Sequence, residues 1–165
     1  MKSLALVFLA ALAALPGPAI AHPEHHPAAA SVPAVHPQEA AVRAVLLRYQ
    51  AAIERLDASG TETLFAADSA IFETGGSEGT YANYLAHHLG PELAEFKSFT
   101  FSDYKVDIRF EGSVALATET YKYRIETKDG IIAERLGVTT SVLKQIDGQW
   151  RIVVSHNSGR KPKTS

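Results

Sequence analysis

Between Glu39 and Leu56 the apolar residues Val42, Val45, Leu46, Tyr49, Ile53 and Leu56 return every three or four positions. That period predicts an amphipathic helix burying a single stripe. Asp57-Ala58-Ser59-Gly60 ends it, and a second short helix carrying Leu64 and Phe65 follows. Ala70-Ile71-Phe72-Glu73 predicts a brief strand stopped by Gly75-Gly76, and a third helix is expected from Thr80 to about Leu89, closed by Gly90-Pro91. After Phe96 the period changes. Phe99–Phe110, Val114–Thr127, Ile131–Ile146 and Trp150–Ser158 are rich in β-branched and aromatic residues and are separated by Glu111-Gly112, Lys128-Asp129-Gly130 and Asp147-Gly148. Asp-Gly in two of these turns is a strong hairpin signal, so an antiparallel meander is predicted. Strands this long imply a bent sheet. The expected class is α+β, a cone-shaped curved antiparallel sheet wrapped around three N-terminal helices. Val45, Ile53, Leu64, Phe72, Leu116 or its neighbours, Val142 and Trp150 are expected in its core.

The first 37 residues follow neither period. Lys2, an apolar run from Leu4 to Leu15, prolines at 16 and 18 and a closing Ala19-Ile20-Ala21 have the order of a cleavable export signal, with cleavage expected after Ala21. The apolar run is too short for a permanent membrane span. Residues 22–37 hold four prolines and four histidines with little to bury, and are expected to form a disordered tether. The folded domain is thus expected over 38–158, with a short basic tail at 159–165. A periplasmic or secreted location follows.

Cysteine is absent, which removes disulfides, thiolate ligands, Cys nucleophiles and a lipid-anchored N-terminus together. The formal net charge of −2 gives no electrostatic reason to bind nucleic acid or an acidic membrane surface, and neither is expected as a partner.

Three stretches then carry a likeness: Arg48-Tyr49-Gln50-Ala51-Ala52 through Asp57, Leu64-Phe65-Ala66-Ala67-Asp68-Ser69-Ala70-Ile71-Phe72, and Asp147-Gly148-Gln149-Trp150-Arg151-Ile152-Val153. In order and spacing the chain resembles the SnoaL-like branch of the nuclear transport factor 2-like superfamily across residues 38–158. The resemblance implies the α+β cone. It leaves function open, because that superfamily includes ketosteroid isomerase, scytalone dehydratase, polyketide cyclases and non-catalytic association modules. It also implies an expected homodimer and a small, mainly apolar ligand in the cone.

The same resemblance places Tyr49 and Glu73 where ketosteroid isomerase keeps a helix tyrosine and a carboxylate base. A phenol can donate to a developing oxyanion and a carboxylate can shuttle a proton. The bland reading is a core tyrosine and a solvated strand end. The isomerase's second oxyanion donor, an acid on the third long strand, has no counterpart in Val138-Thr139-Thr140-Ser141.

Strand parity adds further candidates. One face of 114–127 reads Ala115, Ala117, Glu119, Tyr121, Tyr123 and Ile125, so Glu119 is expected among buried residues, as a site acid or as a structural hydrogen-bond partner. On the last strand Trp150, Ile152, Val154 and His156 share a parity expected to point inward. Tyr84, His88, Tyr121, Tyr123 and Trp150 are the expected ligand-contacting residues, and Tyr49, Glu73, Glu119 and His156 the expected catalytic ones. Histidine suits proton transfer near neutral pH, or ligation of zinc or copper. His22, His25 and His26 of the tail are candidate loose copper or zinc ligands, against the plainer reading of a polar spacer.

Overall fold

The structure, a computed structural model, describes residues 36–163. The expectations for the leader and for His22, His25 and His26 fall outside these residues. No helix among the described residues is long and apolar enough to cross a membrane.

Helix α1 spans Glu39–Glu54 and buries Val42, Val45, Leu46, Ala52 and Ile53. Leu56 turns left-handed at φ 55°, its N–H bonds to Ile53 and that of Asp57 to Ala52, which closes the helix with paired backward bonds. The expected second helix is one tight turn, Thr61–Leu64, and Phe65 already begins strand β1 (Phe65–Glu73). A short β2 (Gly76–Gly79) pairs back onto β1.

The third helical run is longer than predicted, because Gly90-Pro91 does not stop it. It runs as α2 (Tyr81–Tyr84), a wide turn over Leu85–Leu89, and α3 (Gly90–Glu95). A regular helix would drive the Pro91 ring into the carbonyl four residues back. Here the Gly90 N–H reaches five residues back to Leu85, and the wide turn absorbs the proline. A Cβ at Gly90 would lie 2.6 Å from the Leu85 oxygen, so glycine is needed there.

The four long strands are β3 (Phe96–Glu111), β4 (Val114–Thr127), β5 (Ile132–Ile146) and β6 (Gln149–Arg160). Gly159 and Arg160 therefore belong to the sheet rather than to a tail. The six strands lie in the order β2-β1-β6-β5-β4-β3. The meander β3–β6 is antiparallel as expected, while β1 joins β6 in parallel.

α1 and the short helices pack on the inner sheet face. α1 meets the sheet at β3 and β6, and Ala115 and Ala117 of the β4 face are fully buried. Val45, Ile53, Leu64 and Trp150 are core residues. Phe72 and Leu116, 37% and 40% exposed, are not. Ile71, Ala115 and Ala117 take the inward positions beside them, as alternation demands. Val142 is likewise only half-buried, and Leu143 is the fully covered residue of that pair.

Candidate functional site

Two one-residue bulges decide what faces the cone. On β6, Val142 pairs with Val154 and Leu143 with Ile152, so Val153 is an extra residue and the alternation reverses beyond it. Trp150 and Ile152 point inward, then Ser155, Asn157 and Gly159 line the cavity. The expected inward orientation of His156 is thereby corrected: it is exposed on the outer face, its ring 6.4 Å from that of Phe72. On β3 the register shifts between Ser102 and Lys105, with Asp103 at φ 53°, and this brings Tyr104 over Glu119.

The cavity has a volume of about 510 Å³. Aromatic rings form much of its wall. Phe65 stacks on Tyr81 at 3.7 Å, Tyr49 meets Phe65 edge-on at 5.2 Å, and Phe99 stacks on Tyr123 at 5.4 Å. Tyr49, Glu73, Tyr84, Tyr121 and Tyr123 all line it, as the sequence suggested. Trp150 does not. It sits in the core, edge-on to Phe110 at 5.8 Å, because it lies on the near side of the bulge.

Glu73 is held at one oxygen by two donors. Tyr84 Oη donates to Oε1 at 2.8 Å and Asn157 Nδ2 donates to the same atom at 3.0 Å. The other oxygen, Oε2, lies 3.3 Å from His88 Nε2. His88, half-buried on the wide turn, also faces Glu92 through Nε2 and Glu78 through Nδ1, each at 3.3 Å, while His87 is exposed. Partial burial pulls the His88 pKa down, but the Glu78 hydrogen bond and the charges of Glu92 and Glu73 outweigh it and leave the value raised. Glu92, on the cavity wall, is raised by desolvation despite His88. Burial, with Tyr49 and Glu73 nearby, pushes the Tyr84 phenol far up, so it stays a donor.

Deeper in, a chamber of about 50 Å³ shares Tyr49, Ile53, Phe101, Tyr121, Thr139 and Ser155 with the main cavity and ends on Glu119. Glu119 is 8% exposed, and desolvation raises its pKa although Tyr104 Oη donates to it at 2.7 Å. Tyr121 Oη lies 2.8 Å from Thr139 Oγ1 and donates to Asn157 Oδ1 at 3.2 Å. Burial pushes the Tyr121 phenol up to about 12. Asn157 thus links Glu73 to the Tyr121–Thr139 pair.

The structure brings Tyr49, Glu73, Tyr84, Tyr121 and Tyr123 to one cavity, with His88 bonded at its rim and Glu119 behind its rear wall. Sequence reasoning missed Asn157, Tyr104 and Arg135. Asn157 depends on a bulge that leaves no mark in the pattern, whereas the apolar alternation of Phe99 and Phe101 resumes out of phase at Tyr104, Val106, Ile108 and Phe110, so the inward turn of Tyr104 was readable. Arg135 was readable, since counting by twos along Ala133, Arg135, Gly137 and Thr139 puts it inward. Among the described residues no group of three or more His, Cys, Asp and Glu is arranged to hold a metal ion.

The SnoaL-like domain family matches residues 42–160. No curated protein matches the sequence. Among solved structures, a provisionally named ketosteroid isomerase from Shewanella frigidimarina is 28% identical with a TM-score of 0.64, the match covering 73% of this chain and 96% of that one. A nuclear transport factor 2-like superfamily protein from Salmonella enterica serovar Typhimurium is 22% identical, with a TM-score of 0.66 over 77% and 92% of the two chains. A ketosteroid isomerase-like protein from Erwinia carotovora atroseptica shares the fold at 14% identity and a TM-score of 0.65, over 77% and 99%.

Proposed function

Because the chain belongs to the SnoaL-like domain family, in the nuclear transport factor 2-like superfamily, we propose that it is an exported domain whose cone binds a small, mainly apolar molecule and moves a proton on it. The observation that carries this reading is Glu73, a carboxylate on the wall of an aromatic cavity with Oε1 fixed by Tyr84 and Asn157. A base held in one rotamer beside an apolar chamber is oriented before the ligand arrives.

In the step proposed, Glu73 takes a proton from a carbon next to a ligand carbonyl and returns it at another carbon, so the ligand is isomerised and no oxidant is consumed. The negative charge that develops on the carbonyl oxygen is met by a phenol, Tyr49 or Tyr121, both lining the chamber. Where the isomerase pattern has an acid on the third long strand, this chain offers the Thr139 hydroxyl bonded to Tyr121.

The test is a retained ligand identified by mass spectrometry of the natively purified protein, then returned to it in deuterated water. Deuterium should enter the ligand, and Glu73→Gln should slow this about 10²–10⁴-fold while the ligand still binds. No deuterium incorporation in the wild type would leave a binding protein without the chemistry.

A second reading, a non-catalytic homodimer, is favoured by the outer sheet face, where Phe72, Leu116 and Val138 are 37%, 40% and 43% exposed. Light scattering on the protein and on a Leu116→Lys variant tests it. The tail histidines His22, His25 and His26 are proposed as copper or zinc ligands independent of the cone. Calorimetry on the full chain with all three changed to alanine would then show metal binding lost.

A further inference from the structure

The cavity wall is polarised. Glu73 and Glu92 line one side, from β1 and α3, and are occupied with His88 at 3.3 Å each. Across the cavity β5 contributes Arg135, the one cation among the described lining residues. Strand alternation turns it inward, and it stands opposite Tyr123 in the β4–β5 register. Its Nη1 donates to the carbonyl of its neighbour Glu134 at 2.8 Å, which uses one of its five N–H donors. Its charge reaches Tyr123, whose phenol burial pushes up and Arg135 pulls back, while Glu73 and Glu92 add to the rise. Beside it Tyr123 stacks on Phe99, the ring centroids 5.4 Å apart and the planes within 16° of parallel, a stack that a further flat ring can extend.

An inward guanidinium at the edge of an apolar chamber has a specific chemical complement. Its planar fork matches a carboxylate with two parallel hydrogen bonds. A doubly charged phosphate is disfavoured by the two acids on the facing wall, against which a single cation gives no surplus of positive charge. The same two acids repel a ligand carboxylate from their own side, so one orientation of the ligand is selected.

We infer that the ligand of this cavity is a flat, apolar ring system carrying one carboxylate, which pairs with Arg135 while the rings extend the Phe99–Tyr123 stack. The inference deepens the reading of the cone as a ligand cavity and rests on it. A carboxylate anchored on β5 leaves the far end of the molecule toward Glu73, the side where the proposed proton transfer takes place.

The experiment is calorimetric titration of the full chain with two probes that share a ring system and differ in charge, naphthoate and naphthylmethanol. Naphthoate should bind at least tenfold more tightly. Arg135→Gln, which keeps a planar polar head without the charge, should bring both probes to the affinity of naphthylmethanol, and Arg135→Lys should retain part of the preference. Equal binding of the two probes by the wild type would overturn the carboxylate assignment and leave the cavity reading standing. A preference that survives in Arg135→Gln would overturn the role of Arg135. Binding of neither probe by a protein whose circular dichroism shows it folded would overturn the cavity reading, and this inference with it.

Discussion

Asn157 on β6 stands directly beside Glu73 on β1 across the parallel junction of the sheet, and its amide donates to Glu73 Oε1 at 3.0 Å. The pair couples a candidate base to a strand whose alternation a bulge has reversed. Asn157→Leu removes one donor from a partly buried carboxylate and deprives the Tyr121 hydroxyl of an acceptor. A loss of about 1–3 kcal/mol is expected in denaturant unfolding. A loss near zero would mean that Tyr84 alone suffices to hold Glu73.

Below the range in which tyrosine and lysine titrate, the pH dependence of stability follows from three groups with raised pKa values. His88 lies above its ordinary 6.5, so its contribution is complete below that value and is lost as pH rises through its folded value. Glu92 and Glu119 lie above 4.5, and each likewise favours the folded state below 4.5 and disfavours it as pH rises through its folded value. The exposed Asp57, Asp103 and Asp129 and the half-buried Glu126 are lowered by their hydrogen-bond partners and oppose this only below about pH 4. The melting temperature should therefore be highest in mildly acidic buffer and fall toward alkaline pH. His88→Gln should flatten the upper part of that fall.

Glu119→Gln separates the two readings of the buried acid. The amide oxygen still accepts from Tyr104, and the cost of burying a charge at neutral pH is gone. Stability should be unchanged or improved at neutral pH while binding of the cavity ligand weakens. Glu119→Leu should instead cost about 1–3 kcal/mol by leaving the Tyr104 hydroxyl without its acceptor. Thermal melts beside ligand titrations check both. A Gln variant that melts far lower with unaltered binding would make Glu119 purely structural.

Gly137→Ala tests the packing of the cavity wall. A Cβ there would lie 2.1 Å from Cε2 of Tyr121, so the ring must move. The shift would break its contact with Thr139 and fill part of the cavity. A cost of about 1–3 kcal/mol is expected from overpacking, together with loss of ligand binding. Unfolding curves and a titration of the same variant measure the two effects.

Much of this arrangement was legible in the residue pattern, and the exceptions share a cause. The stripe from Val42 to Ile53 specified α1, and alternation along β4 placed Glu119, Tyr121 and Tyr123 correctly, because β4 runs without a bulge. A bulge is one extra residue in a run that otherwise reads as continuous strand, so parity carried past Val153 or Asp103 assigns the wrong face. That is why His156 was expected inside and Asn157 was overlooked, while the phase change from Phe101 to Tyr104 was there to be read. Pro91 misled in the opposite sense: it normally ends a helix, and only the wide turn before it permits continuation. The parallel pairing of β1 with β6 is set by contacts distant in sequence, which local periodicity does not encode.

The extra residue at Val153 makes β6 two half-strands out of phase, one serving the core through Trp150 and Ile152, the other serving the cavity through Ser155 and Asn157. A gene that lost that one codon would encode a strand without the bulge and still set Asn157 beside Glu73, whereas a strand that kept Val153 and ironed the bulge out would slip by one residue and bring the His156 imidazole to that position. Whether one residue is left out of the ladder, rather than the identity of any residue, thus decides whether the acid meets an amide or a second titratable group.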